Sequence, residues 1–90
     1  MRTDILYKTI EKWGIPMQFI ICMEELAELI QEISKQLRGN DVRDKILAEM
    51  ADVYVCLEQL KVIFVFKEKD LQDKIEEKIT RIEERMQREE

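Results

Sequence analysis

Residues 23–53 read MEELAELIQEISKQLRGNDVRDKILAEMADV, and their spacing decides the fold. Apolar residues recur at steps of three and four from Phe19 through Met23, Leu26, Ile30 and Ile33 to Leu37, a helical stripe expected to form core. Ile46, Met50, Val53, Leu57, Leu60 and Phe64 form a second, near-heptad seam. Gly39-Asn40 lies between them as helix stop and turn, so the pair predicts an antiparallel helical hairpin. Each helix also carries two acids at i, i+3 spacing, which places both carboxylates on one face. These are Glu25 and Glu28 on the first helix, and Glu49 and Asp52 on the second. Residues facing each other across such a hairpin share one residue-number sum. Glu28 with Glu49 and Glu25 with Asp52 have the same sum, so all four carboxylates are expected at one height between the helices. Clustered carboxylates repel unless a cation joins them, and hard oxygen ligands of this kind suit Mg²⁺ or Mn²⁺.

Working outward, a first helix is expected from Thr3 to Lys12, with Thr3 as N-cap and Asp4 in its first turn. Trp13-Gly14-Ile15-Pro16 breaks it, and Pro16 opens the hairpin's first helix, which runs to Leu37. The third helix starts near Asp41, with Asp44 placed for a capping box, and ends at Phe64. Val55, Val62 and Val65 add apolar surface outside its seam, which predicts burial on several sides and a subunit interface. Lys67-Glu68-Lys69 is a charged link, and Asp70 is placed to cap a fourth helix from Leu71 to Gln87. The expected fold is all-α. It is one domain over residues 1–90, four helices around a central hairpin, assembled into a helical-bundle dimer or tetramer.

Composition narrows the chemistry. The net charge is −5, which argues against nucleic-acid binding, since such proteins neutralise phosphates with a basic surface. An acidic protein that handles phosphates needs a metal to reverse the local sign. Histidine is absent, which removes His-based catalysis, most zinc sites and the Glu-x-x-His di-iron pattern. Cys22 and Cys56 each sit in an apolar helical stretch and read as buried free thiols in a reducing cytosol. A disulfide between the two helices is the other reading. No signal peptide and no membrane-spanning apolar run is apparent, so a cytoplasmic protein without membrane contact is expected.

With 39% charged residues, chance alone often places acids at i, i+3, and most such pairs are solvated surface. Three details favour a metal site. The acids lie well inside long apolar helices, they come in register across the turn, and Met50, Ala51, Val53, Tyr54 and Val55 surround the second pair with apolar neighbours. A carboxylate there is pushed toward protonation, and a cation keeps it ionised.

Met23-Glu24-Glu25-Leu26-Ala27-Glu28-Leu29 followed by Ala48-Glu49-Met50-Ala51-Asp52-Val53 resembles the E-E-x-x-E … E-x-x-D signature of MazG-like all-α nucleoside triphosphate pyrophosphohydrolases. The likeness runs from Trp13 to Arg85 and includes the flanks Gln31–Lys35 and Glu76–Arg81. It implies Mg²⁺-dependent cleavage of a (d)NTP between the α- and β-phosphates, giving a monophosphate and pyrophosphate. It also implies dimers or dimers of dimers with active sites near subunit contacts. Glu25, Glu28, Glu49 and Asp52 would be the metal ligands. Glu24, the first acid of the signature, would bind a second metal, orient the attacking water as a catalytic residue, or face solvent.

Phosphoryl-type transfer needs mainly positioning and charge stabilisation, so the lack of a histidine is no obstacle. Basic side chains should complete the phosphate site. Lys35, Lys78 and Arg81 are the candidates, with Lys78 and Arg81 fitting the family pattern better. Their ordinary alternative is pairing with nearby side chains: Glu32 or Gln31 for Lys35, and Asp73, Glu77 or Glu84 for the other two. On the base side, Trp13 is placed to stack on a nucleobase or to plug the core. Gln18 would hydrogen-bond a base edge or face solvent in the first turn. One copy of the signature in a short chain departs from the duplicated members of the family. The aromatic-His feature of phosphoribosyl-ATP pyrophosphohydrolases is missing, which weighs against that substrate. Superfamily relatives acting on dUTP, dCTP or phosphoribosyl-ATP are the runner-up enzymes. The alternative from another class is a non-catalytic helical oligomerisation module whose acids are surface charge.

Overall fold

The computed structural model describes residues 1–89, of which 88% are helical, with no strand among them. Four helices follow one another: α1 (Thr3–Trp13), α2 (Ile15–Leu37), α3 (Arg43–Phe64) and α4 (Glu68–Glu89). None of them is long and apolar enough to cross a membrane.

Local chemistry sets the boundaries. Gly14 takes φ +84°, a conformation that costs a side chain energy, and its N–H closes α1 onto the Ile10 carbonyl at 2.8 Å. Pro16 then sits in the first turn of α2, where a missing N–H costs nothing. At the other end of α2, Gly39 takes φ +101°, Gly39 N–H bonds the Gln36 carbonyl and Asn40 N–H bonds the Lys35 carbonyl. Those two bonds form a Schellman stop. Gln36 Oε1 also accepts from Val42 N–H at 3.0 Å and ties the turn to the start of α3.

The expected caps are not used. Thr3 is already inside α1, with Arg2 preceding it and no side-chain cap bond. α3 begins at Arg43 with Val42 before it, so Asp41 and Asp44 form no capping box. Asp41 instead binds Arg43, accepting from Nε at 3.0 Å, from Nη2 at 3.2 Å and, more loosely, from the backbone N–H at 3.4 Å, because a guanidinium two residues away offers a fork that fits a carboxylate. α4 starts three residues before the expected Leu71, placing Asp70 within its first turn. Glu68 pairs there with Lys61 of α3 and accepts from Gln72 at 2.8 Å.

α2 and α3 form the antiparallel hairpin, and α1 lies across both. The buried apolar residues are few: Leu6, Cys22, Val53 and Cys56. The face that α2 turns to α3 carries Gln18, Cys22, Glu25, Leu29 and Glu32. This corrects the expectation that Phe19, Met23, Leu26, Ile30, Ile33 and Leu37 form the core. Phe19 is half-buried against Phe64, with ring centroids 5.8 Å apart, and the other five residues are exposed, Leu37 at 87%. In α3 the inward line is Ile46, Glu49, Val53, Cys56, Gln59, Leu60 and Ile63, while Met50, Leu57 and Phe64 of the expected seam are exposed. Glu25, Glu32 and Glu49 are half-buried between the helices, Glu28 and Asp52 are exposed at the edge of the hairpin, and the apolar stripes face outward. Beyond the Glu68–Lys61 pair, α4 packs against none of the other three helices among the described residues, and Leu71, Ile75, Ile79, Ile82 and Met86 along it are exposed.

Candidate metal centre

Two turns of α2 and the facing turns of α3 supply the carboxylates. One oxygen each from Glu25, Glu28, Glu49 and Asp52 lies within 4.8 Å of the others, as the shared register requires. Glu25 and Glu49 are half-buried in the hairpin, and Glu28 and Asp52 are exposed at its edge. One oxygen each of Glu25, Glu49 and the neighbouring Glu32 is buried without a hydrogen-bond partner among the described residues.

Electrostatics record the crowding. Burial pushes the Glu25 carboxyl up to about 7, helped by the charges of Asp52 and Glu28, a hydrogen bond with Asp52 and the charge of Glu49. The Glu49 carboxyl is also raised, first by burial, then by the charge of Glu28 and a hydrogen bond with it, and by the charges of Asp52 and Glu32. No lysine or arginine forms an ion pair with any of the four acids among the described residues. The donor set fits a hard divalent cation: four carboxylates on two rigid helices, with buried oxygens lacking partners and no softer ligand among them.

A cleft of about 180 Å³ opens beside the acids, lined by Trp13, Gln18, Ile21, Glu25, Asp52, Val55, Cys56 and Gln59. Trp13 is half-exposed, with Lys12 Nζ 5.7 Å from its ring centroid, so it walls the cleft and does not plug the core. Gln18 is 1% exposed, which corrects the solvent-facing reading of that residue. Its helix turns this position toward α3. Gln59 also belongs to the cleft and was missed in the sequence. The signal was present, because Gln18 and Gln59 share the residue-number sum of the two acid pairs. Both cysteines are free and buried, with Cys22 Sγ 3.6 Å from the Cys56 carbonyl oxygen to which it donates. Burial pushes the Cys56 thiol up to about 12.

The other candidates separate. Glu24 is exposed and outside the four-acid cluster. Lys35 reaches Glu32 at 2.9 Å, so its ammonium sits at the end of the acidic stripe. Lys78 and Arg81 lie on α4 and are not brought to the cluster by their own chain. Arg81 borders a shallow surface hollow with Asp73, Glu76, Glu77, Thr80 and Glu84. No protein-family model, curated protein or solved structure matches the chain.

Proposed function

We propose that this chain is a Mg²⁺-dependent nucleoside triphosphate pyrophosphohydrolase of the MazG-like kind, cleaving (d)NTP between the α- and β-phosphates to a monophosphate and pyrophosphate. The observation that carries the reading is the set of four carboxylates converging within 4.8 Å, with buried oxygens that have no partner. Glu25, Glu28, Glu49 and Asp52 would hold the metal. Bound there, Mg²⁺ (or Mn²⁺) supplies positive charge for phosphate oxygens and acidifies a coordinated water. Without it a triphosphate would be repelled by the cluster. Glu24, on the exposed side, is open to a second ion or to the attacking water. Lys35 stands at the end of the acidic stripe, within reach of an outer phosphate if it releases Glu32.

The same reading includes an oligomer. The apolar stripes of α2, α3 and α4 are uncovered in the single chain, and burying such surfaces drives association of helices. In a dimer or tetramer α4 would lie against a neighbouring subunit, where Lys78 and Arg81 would meet the phosphates bound at that subunit's acids.

Those uncovered stripes also favour a second reading, a helical oligomerisation module without activity. One experiment separates the two. Pyrophosphate release is measured over a panel of (d)NTPs, with Mg²⁺ and with EDTA, for the wild type, Glu28→Gln and Asp52→Asn. The enzyme reading expects metal-dependent monophosphate and pyrophosphate. It also expects each variant to lose about 100-fold or more in turnover while keeping its helical content. A module shows no release, and both variants are as stable as the wild type or more so. Full activity in both variants would remove these residues from the ligand set.

A further inference from the structure

Gln18 is 1% exposed, and among the described residues neither its Nε2 nor its Oε1 has a hydrogen-bond partner. A buried carboxamide with both ends unpaired is costly and calls for an explanation. It lines the cleft that also holds Glu25 and Asp52. The hairpin register sets Gln59 opposite Gln18 as it sets Asp52 opposite Glu25. Seven residues of helix, about 10 Å, separate the carboxamide pair from that carboxylate pair. A nucleoside spans a similar length from the edge of its base to its first phosphate.

Gln59 has a fixed orientation. Thr9 Oγ1 donates its one proton to the Leu6 carbonyl at 2.7 Å, so toward Gln59 it can only accept. Gln59 Nε2 donates to it at 3.1 Å. Gln59 keeps its acceptor Oε1, beside the second N–H of Nε2. Gln18 adds a second acceptor and an NH₂ donor. The two carboxamide oxygens, with an N–H beside them, match an edge with two N–H bonds beside an acceptor.

We propose that the cleft seats a nucleobase carrying an exocyclic amino group, with Gln18 and Gln59 reading its amino edge. The inference rests on the nucleotide reading above and adds the class of base. Cytosine and adenine place an NH₂ beside a ring nitrogen, and guanine places N–H, NH₂ and a carbonyl on one edge. Uracil, thymine and hypoxanthine offer one N–H there and leave a glutamine oxygen unpaired. A site built on hydrogen bonds discriminates strongly against a ligand that leaves it unpaired.

Trp13, the only tryptophan, lines the cleft and reports occupancy by its fluorescence. The test titrates CMP against UMP and AMP against IMP, with Mg²⁺ present, in the wild type and in Gln18→Leu. The amino member of whichever pair binds is expected to bind about tenfold tighter or better, and the gap should close in Gln18→Leu. Equal affinities within the pairs in the wild type would overturn the inference, as would a gap that survives in folded Gln18→Leu. If that variant fails to fold, the wild-type pairs decide. An amino preference without hydrolysis of any triphosphate would sink the hydrolase and keep the base site. Hydrolysis indifferent to the base would do the reverse. No binding of any monophosphate would overturn the base site.

Discussion

Glu25 gives up its proton late for a carboxyl, near pH 7, because its own burial and the facing acids disfavour the charge. In the absence of metal the folded chain holds a proton here that the unfolded chain releases near 4.5. The stability Glu25 contributes is thus fully present below about pH 4.5 and is lost as pH rises through about 7. In EDTA, the melting temperature should fall between about pH 5 and pH 8, and Glu25→Gln should remove most of that fall. The remainder belongs to Glu49, which is raised in the same direction. Asp41 and Glu68 are lowered by their Arg43 and Lys61 partners, so their contributions are lost only on acidification below that window. Mg²⁺ should restore the loss at the upper pH and do little at the lower, where the proton competes. Thermal melts at the two pH values check each statement. The acids were legible in the sequence because helical period and hairpin register together fix their positions. Gln18 was not, since a polar residue in a first turn ordinarily faces water and only the facing Gln59 marks it as inward.

At the scale of the element, periodicity identifies residues that share a face but not what covers that face. The α2 stripe from Met23 to Leu37 is a real apolar face, yet the hairpin closes on the face beside it, where Gln18, Cys22, Glu25, Leu29 and Glu32 stand. Both faces of α2 are usable, and the helix spends one on the acidic site and leaves the other outward. Helix ends follow the same lesson. The Gly39 stop was legible because glycine alone accepts its φ freely; the fate of the Asp41 cap was not, because the Arg43 side chain competes for its oxygens, and neither was that of Asp70, because α4 already begins at Glu68. The end of α3 carries a strain the sequence did not announce. Val65 sits at φ 56° in the left-handed region, a position where glycine is usual and a β-branched residue is unfavourable. Its side chain is 83% exposed, so little burial offsets the strain. Val65→Gly should therefore stabilise the protein by about 1 kcal/mol, read as a higher urea midpoint.

The whole chain is extended for its length. Its radius of gyration is 16.2 Å, against about 12 Å for a compact chain of this size. The excess comes with α4, which among the described residues meets another helix only through the Glu68–Lys61 pair at its start. Under the oligomeric reading, Ile30→Asp on the outer face of α2 should dissociate the assembly while leaving the hairpin helical, as sedimentation and circular dichroism together would show. A species that sediments unchanged would argue that another surface holds it together. Within one subunit, the two sulfur atoms offer a clock. Cys22 and Cys56 are each 4% exposed, and a thiol held up near 12 is protonated at neutral pH, so an alkylating reagent meets a reactive sulfur only when α2 and α3 part. The labelling rate therefore counts how often the hairpin opens. A divalent ion gripped by acids from both helices would hold it shut, and adding Mg²⁺ should slow the modification in proportion to how tightly the ion is held.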